Sequence, residues 1–244
     1  MTDAFKKQLK DILFIDTETV AQQAEFDSVD ERLQKQWELK AAYFKNEEKL
    51  TAAELYKKRA GIYAEFGKIV CISFGGFYED EGEMKFKASS VCGDDEKELL
   101  SDFLNILKKH RAKDQLILCA HNGKEFDYPY ICRRLLVNGF TLPSILQLAG
   151  KKAWNIPHLD TLEMWKFGDY KHFTSLELLA TLFDVPSSKN EIDGSMVNDT
   201  YHVECNLPKI TRYCVADVVV LAQLYLKMNA LEAIPDEKIQ VVHV

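Results

Sequence analysis

Several kinds of sequence signal are missing from this chain of 244 residues. No stretch approaches the roughly 20 consecutive apolar residues that a membrane-spanning helix needs. The N-terminal residues are polar and carry Lys6, Lys7 and Lys10, but no apolar run of signal-peptide length follows them before Asp16. These absences predict a cytoplasmic protein that does not span a membrane.

Cysteine patterns typical of zinc sites or disulfide frameworks are also missing. The six cysteines are scattered and never form a C-x-x-C pair. Most of them lie inside apolar runs, as Cys71 and Cys119 do. We therefore interpret them as small buried hydrophobic residues of a protein in a reducing compartment.

The chain has no excess of positive charge, since 31 basic residues stand against 38 acidic ones and the net charge is −7. This balance argues against a protein that coats long stretches of nucleic acid. It allows an enzyme that binds a short single-stranded end, because bound metal would neutralise clustered acids and local basic groups would meet the phosphates.

The length of the chain predicts a single domain over residues 1–244. Apolar runs predict strands at residues 11–15, 68–78, 84–92, 115–120 and 157–162. Helical spacing predicts helices at about residues 94–111, 127–139 and 208–230. This order predicts an α/β fold with a mixed β-sheet flanked by helices, as in ribonuclease-H-like folds.

A long segment separates the first two predicted strands. Residues 21–66 are rich in Glu, Lys, Gln and Ala, with apolar positions that include Leu33, Trp37, Leu55 and Tyr56. The segment is predicted to be a helical insertion after the first strand. It either lines the substrate entrance or packs on the sheet as an accessory hairpin.

Two acidic residues follow the first predicted strand. Asp16 and Glu18 are two positions apart, which places both side chains on one face of an extended chain. Two carboxylates side by side repel each other unless a cation lies between them. The pair alone is a weak motif, because acids at strand ends are often solvated.

Two further acids strengthen the interpretation. Asp127 begins a predicted helix, where it could also serve as the N-cap. Asp217 lies in the long C-terminal helix among Val and Ala residues, four positions after Tyr213, so both side chains share a helical face. A buried carboxylate in apolar surroundings is costly, and a metal ion would remove that cost.

Three sequence blocks carry a family resemblance: Asp16-Thr17-Glu18, then 122–127 (NGKEFD), then 213–217 (YCVAD). In this order the blocks resemble the DEDD superfamily of 3′–5′ exonucleases, and Tyr213 four residues before Asp217 is typical of its tyrosine subgroup, DEDDy. The surrounding sequence resembles the predicted exonucleases related to the exonuclease domain of B-family DNA polymerases. The resemblance spans about residues 11–229.

The resemblance implies a hydrolase that removes nucleotides from the 3′ end of single-stranded nucleic acid by two-metal-ion catalysis. Oxygen ligands without a His or Cys cluster favour two Mg²⁺ or Mn²⁺ ions. The implied catalytic residues are Tyr213 and the four metal ligands Asp16, Glu18, Asp127 and Asp217. Thr17 and Asn122 are the implied substrate contacts, although Asn122 could equally be a turn residue before Gly123.

Two other functions remain open from the sequence. The chain could be a metal-binding nucleic-acid-binding or proofreading module without independent activity, or a structural protein that uses residues 21–66 as an interface. The sequence contains no polymerase domain, so a polymerase or repair partner would act in trans. The choice between DNA and RNA is not encoded in any residue that we can identify.

Overall fold

A computed structural model describes residues 2–112, 115–169, 173–187 and 191–242. Six strands of these residues form one sheet. They are β1 (Ile12–Ala21), β2 (Gly67–Asp80), β3 (Glu83–Cys92), β4 (Ile117–Ala120), β5 (Leu159–Asp160) and β6 (Ile239–Val241). Their order across the sheet is β5-β4-β1-β2-β3-β6, so β1 lies in the interior.

The sheet is mixed. β1 and β2 are antiparallel, as are β2 and β3, whereas the β1–β4, β4–β5 and β3–β6 pairs are parallel. This arrangement confirms the predicted ribonuclease-H-like mixed sheet flanked by helices. β6 was not predicted, because three residues give too short a pattern to identify a strand.

Nine α-helices occur in the described ranges. They are α1 (Asp3–Leu9), α2 (Glu31–Ala41), α3 (Ala52–Arg59), α4 (Glu96–Lys109), α5 (Asp127–Val137), α6 (Thr161–Lys166), α7 (Leu176–Leu182), α8 (Val197–His202) and α9 (Leu207–Met228). Within those ranges, no helix is both long enough and apolar enough to cross a membrane.

Different helices cover the two faces of the sheet. Leu13 and Ile15 of β1 pack in one hydrophobic cluster with α4 and α5, whereas Phe14 packs in another with α9. Side chains alternate between the two faces along a strand. Asp16 and Glu18 therefore share the face of α9, and Thr17 points to the opposite face, where α5 lies.

The first strand is longer than predicted. It continues past Asp16 to Ala21 because the antiparallel pairing with β2 continues, with Asp16 opposite Ser73 and Glu18 opposite Cys71. A register shift follows between Glu18 and Thr19. The acidic pair thus lies inside a paired strand, where the backbone fixes the direction of both side chains.

The segment between β1 and β2 contains α2 and α3 and has a hydrophobic cluster of its own around Trp37 and Tyr56. Thr51 and Glu54 form a capping box at the start of α3. The segment returns to the sheet at Gly61, whose carbonyl oxygen accepts 2.8 Å hydrogen bonds from the hydroxyls of Thr19 and Tyr130. These bonds hold the end of the segment beside the acidic part of β1.

Candidate active site

The acidic pair of β1 contacts the long helix α9. The Cys214 thiol donates to Oδ2 of Asp16 at 3.3 Å and lies 3.5 Å from the backbone carbonyl oxygen of that residue. One potential ligand atom from each of Asp16, Glu18 and Cys214 lies within 4.8 Å of the other two. This position of Cys214 could not be predicted from the sequence, because a cysteine in an apolar helix is usually a packing residue.

The same stretch of α9 brings Tyr213 and Asp217 to the acidic pair. Asp217 is 9% exposed, and its charge acts on both Asp16 and Glu18. Tyr213 lies one helical turn before Asp217, close enough for the charge of Asp217 to act on its phenol. The Asp217 charge thus acts on the β1 acids, while the ligand atoms that lie within 4.8 Å of one another belong to Asp16, Glu18 and Cys214.

Asp127 approaches from the other side of β1. It is the first residue of α5 and not its N-cap, since Phe126 occupies the cap position. The Thr17 hydroxyl donates a 2.6 Å hydrogen bond to Oδ1 of Asp127, and both side chains are buried. The Asp127 charge still reaches Asp16 and Glu18 and raises their pKa values.

Burial and mutual repulsion disfavour the ionised form of these acids. Burial, followed by the charge of Asp217, raises the pKa of Asp16 well above its ordinary range. Burial and the charge of Asp16 do the same to the pKa of Glu18. Burial raises the pKa of Asp127 to about 7, although the hydrogen bond from Thr17 lowers it.

The pKa of the Tyr213 phenol is raised as well. Burial raises its pKa, and the charges of Asp217, Glu18 and Asp16 raise it further. A phenol with a raised pKa keeps its proton at neutral pH. Tyr213 can therefore act as a hydrogen-bond donor in this site.

A divalent cation fits the donor set. Among the salt bridges of the described residues, none involves the buried Glu18 and Asp127 or the partly buried Asp16, so no basic side chain forms an ion pair with these acids. Clustered carboxylates without such a partner are stabilised by a bound cation, which reverses their pKa shifts. Hard carboxylate oxygens are the ligands that Mg²⁺ and Mn²⁺ prefer.

The loop before Asp127 is held by a residue that the sequence did not identify. The Asp160 carboxylate accepts hydrogen bonds from the backbone amides of Asn122, at 2.9 Å, and Lys124, at 3.0 Å. It also accepts from the amide of Leu162 at the start of α6. Asp160 therefore fixes the loop that positions Asp127. Its position before Thr161-Leu162-Glu163 is typical of an N-cap, which is the signal that could have identified it.

The two predicted substrate contacts differ in their surroundings. Asn122 has a positive φ of 63°, which suits a turn residue. Thr17 lines a cavity of about 810 Å³ that also contacts Glu18. Among the described residues, the lining of this cavity does not include Asn122.

That cavity has two walls of different origin. One wall comes from the segment between β1 and β2 and includes Lys57, Lys58 and Ile62. The other comes from α8 and the loop before it, and includes Ser195 and Asn198. The space beside Glu18 is therefore open to a ligand that extends away from the carboxylates.

Comparison with known proteins gives one family. Residues 62–240 match a family described as a predicted 3′–5′ exonuclease related to the exonuclease domain of PolB. The matched range includes Asp127, Tyr213 and Asp217 but begins after Asp16 and Glu18, which the fold brings to the same place. No curated protein matches the sequence.

One solved structure with a similar fold is the family B DNA polymerase from the hyperthermophilic archaeon Pyrobaculum calidifontis. The two proteins are 14% identical, with a TM-score of 0.47, and the similarity covers 89% of this chain. The chain spans only 25% of the polymerase's length. Because the family match extends over most of the sequence, it confirms the predicted relationship: this chain belongs to the family of predicted 3′–5′ exonucleases related to the exonuclease domain of PolB.

Proposed function

We propose that this protein is a metal-dependent exonuclease that hydrolyses phosphodiester bonds at the 3′ end of single-stranded nucleic acid. The observation that carries the proposal is the close approach of Asp16 and Glu18, whose ligand atoms lie within 4.8 Å of each other and on which the charge of Asp217 acts from α9. These residues come from opposite ends of the chain. A purely structural role does not require buried acids to repel one another.

In this proposal Asp16, Glu18 and Asp217 would hold one divalent cation and Asp16 would be the main ligand of a second, with Asp127 acting through bound water or directly. When bound, two Mg²⁺ or Mn²⁺ ions would supply the Lewis-acid chemistry of phosphodiester hydrolysis. The protein's own contribution is to fix the ligands. The Cys214 thiol orients Asp16, and the Thr17 hydroxyl orients Asp127.

Tyr213 supplies a second contribution. In the metal-free protein its hydroxyl keeps its proton because burial and the neighbouring acids raise its pKa. In the proposed reaction it positions the attacking water or helps to deprotonate it.

The wider setting is also proposed. We place the activity in one domain spanning residues 1–244. A polymerase or repair enzyme acting in trans is the expected partner, since the family is related to a polymerase exonuclease domain. The six cysteines are free thiols, a state that the reducing cytoplasm maintains, and this supports the predicted cytoplasmic location.

A 5′-labelled single-stranded oligonucleotide tests the reaction. With Mg²⁺ we expect a ladder of products shortened from the 3′ end, whereas EDTA should stop the reaction and circular single-stranded DNA should remain uncut. Asp16→Ala and Asp217→Ala should each abolish the ladder while the circular dichroism spectrum stays that of the wild type. Full activity in either variant, or strand binding without any cleavage by the wild type, would reject the proposal.

A further inference from the structure

The cavity beside Glu18 has a basic wall that the catalytic chemistry does not use. Lys57 and Lys58 lie in the last turn of α3, and Ile62 follows in the turn after it. All three line the cavity that also contacts Glu18 and Thr17. We call these three residues the α3 wall. The two lysines of the wall lie outside the residues that match the exonuclease family, because the match begins at residue 62.

Both lysines of the α3 wall form exposed ion pairs that a phosphate group can replace. Lys57 pairs with Glu25 at 2.9 Å, and Lys58 pairs with Glu48 at 2.7 Å. The two lysine side chains are 49% and 56% exposed, and exposed ion pairs of this kind contribute little stability. A phosphate group can therefore replace either glutamate at small cost.

An apolar surface lies beside these charges. Ile62 is 55% exposed although it lines the cavity. A single strand of nucleic acid presents phosphates along one side and flat apolar bases along the other. Positive charge next to an exposed apolar side chain matches both parts of such a strand.

The α3 wall is held at a fixed place relative to the carboxylates. The Gly61 carbonyl, directly before Ile62, accepts hydrogen bonds from Thr19 of β1 and Tyr130 of α5. A Cβ atom at Gly61 would lie 3.0 Å from the backbone carbonyl carbon of Val20, so the chain passes against β1 at van der Waals distance. A ligand on the wall therefore meets Glu18 at a defined distance.

We infer that the α3 wall binds the nucleotides upstream of the scissile phosphodiester. Lys57 and Lys58 pair with backbone phosphates, and Ile62 contacts a base. This assignment rests on the proposed exonuclease function and gives the segment between β1 and β2 a role in substrate binding. It also explains how a chain with a net charge of −7 attracts a polyanion to this cavity.

The test compares Lys57→Ala/Lys58→Ala with the wild type in binding and in hydrolysis. Binding is the fluorescence anisotropy of a fluorescein-labelled oligodeoxythymidine in EDTA, measured at several salt concentrations. Loss of two phosphate contacts should weaken binding about ten-fold or more and reduce the slope of log K against log salt by about 1.4. Lys57→Arg/Lys58→Arg should restore both quantities towards the wild type.

Hydrolysis is measured on the same oligonucleotide and on the p-nitrophenyl ester of thymidine 5′-monophosphate, which has no upstream nucleotides. The loss of kcat/KM should be at least about ten-fold greater on the oligonucleotide, and it should lie in KM. The matched control is Lys85→Ala/Lys238→Ala, which removes two ion-paired lysines near β3 and β6. It should leave both activities and the salt slope unchanged.

The outcomes separate this inference from the proposed function. An unchanged affinity and salt slope in Lys57→Ala/Lys58→Ala would overturn the inference, and so would an equal loss of kcat/KM on the two substrates. Failure of the wild type to hydrolyse either substrate would reject the exonuclease proposal. The anisotropy measurement would still decide whether the α3 wall binds single strands.

Discussion

The Thr17 hydroxyl donates a 2.6 Å hydrogen bond to Asp127 across 110 positions of sequence. Thr17 lies between Asp16 and Glu18 in β1, but its side chain points to the opposite face of the sheet. One strand therefore provides two carboxylates on one face and orients a third carboxylate on the other. Thr17, the middle residue of the first sequence block, therefore orients Asp127 in addition to its predicted contact with substrate.

Thr17→Val should impair the use of metal ions without unfolding the protein. The lost hydrogen bond leaves the pKa of Asp127 above its present value of about 7, since that bond lowers it. Residues that orient metal ligands typically contribute about 10–100-fold to metal affinity or activity. We expect a loss of this size in kcat/KM at neutral pH and limiting Mg²⁺, and a smaller loss at alkaline pH.

Thr17→Ser is the matched control, because serine retains the hydroxyl. It should keep most of the wild-type activity and the same dependence on Mg²⁺ concentration. If Thr17→Val shows the wild-type Mg²⁺ dependence at every pH, the hydrogen bond does not orient a metal ligand.

Tyr213→Phe should lower kcat by about 10²–10⁴ if the hydroxyl takes part in the reaction as a positioning or acid–base group. The KM for the oligonucleotide should change little, because the phenol meets the attacking water and not the strand. Tyr225→Phe, on the same helix but packed against Phe14, should retain wild-type kcat. An unchanged rate in Tyr213→Phe would reduce Tyr213 to a packing residue.

The site residues could be predicted from the sequence to different extents. Asp16 and Glu18 share a face because strand geometry is local, and Tyr213 and Asp217 share a face because helix geometry is local. Their convergence depends on β1 lying under α9, and only the family resemblance predicted that packing. Local rules could not supply it.

Other features had no local signal. The paired continuation of β1 to Ala21 depends on the distant strand β2. The hydrogen bonds of Asp160 to the Asn122 loop join residues 38 positions apart. The helix α8 was also not predicted, since six residues give less than two turns of pattern. In each case a tertiary contact, and not a propensity, decides the structure.

Three acids of the candidate site should make a contribution to the stability of the metal-free protein that falls as the pH rises. Asp16, Glu18 and Asp127 have pKa values above the ordinary carboxyl values of the unfolded chain, with Asp127 at about 7. Between about pH 4 and 7 the folded state therefore binds more protons than the unfolded state. The contribution of these three acids to stability then decreases with rising pH through this window, because their ionisation in the folded state is disfavoured.

Thermal unfolding in EDTA and in Mg²⁺ measures this effect. Mg²⁺ should raise Tm more at about pH 7.5 than at about pH 5, where protons compete for the carboxylates. Asp16→Asn should raise the Tm of the metal-free protein at the higher pH, since one of the repelling charges is removed. Asp27→Asn, at an exposed position, should not. A Tm in EDTA that rises with pH in the wild type, but not in Asp16→Asn, would contradict the linkage.

A buried ion pair connects α4 and α5 to the end of the segment between β1 and β2. Arg134 of α5 donates to both carboxylate oxygens of Glu96 at the start of α4, at 2.9 and 2.5 Å. Nη1 of Arg134 donates to the carbonyl oxygen of Ala64, near the end of the segment between β1 and β2. Glu96 also accepts from the backbone amide of Ile69 and from Asn138. This network joins α4, α5 and β2 to Ala64, two residues after Ile62 of the α3 wall.

Arg134→Met should lower the free energy of unfolding by about 3–5 kcal/mol, because it leaves the Glu96 carboxylate buried without its partner. Arg134→Lys should recover little, since an ammonium group cannot bind both oxygens and the Ala64 carbonyl in the planar geometry of arginine. Arg111→Met is the matched control. Arg111 pairs with Asp11 at 2.7 Å but is 54% exposed, so its loss should cost less than about 1 kcal/mol. Urea unfolding followed by circular dichroism measures the free energy of unfolding of the three variants. Equal losses for Arg134→Met and Arg111→Met would show that the buried ion pair contributes no more to stability than the exposed one.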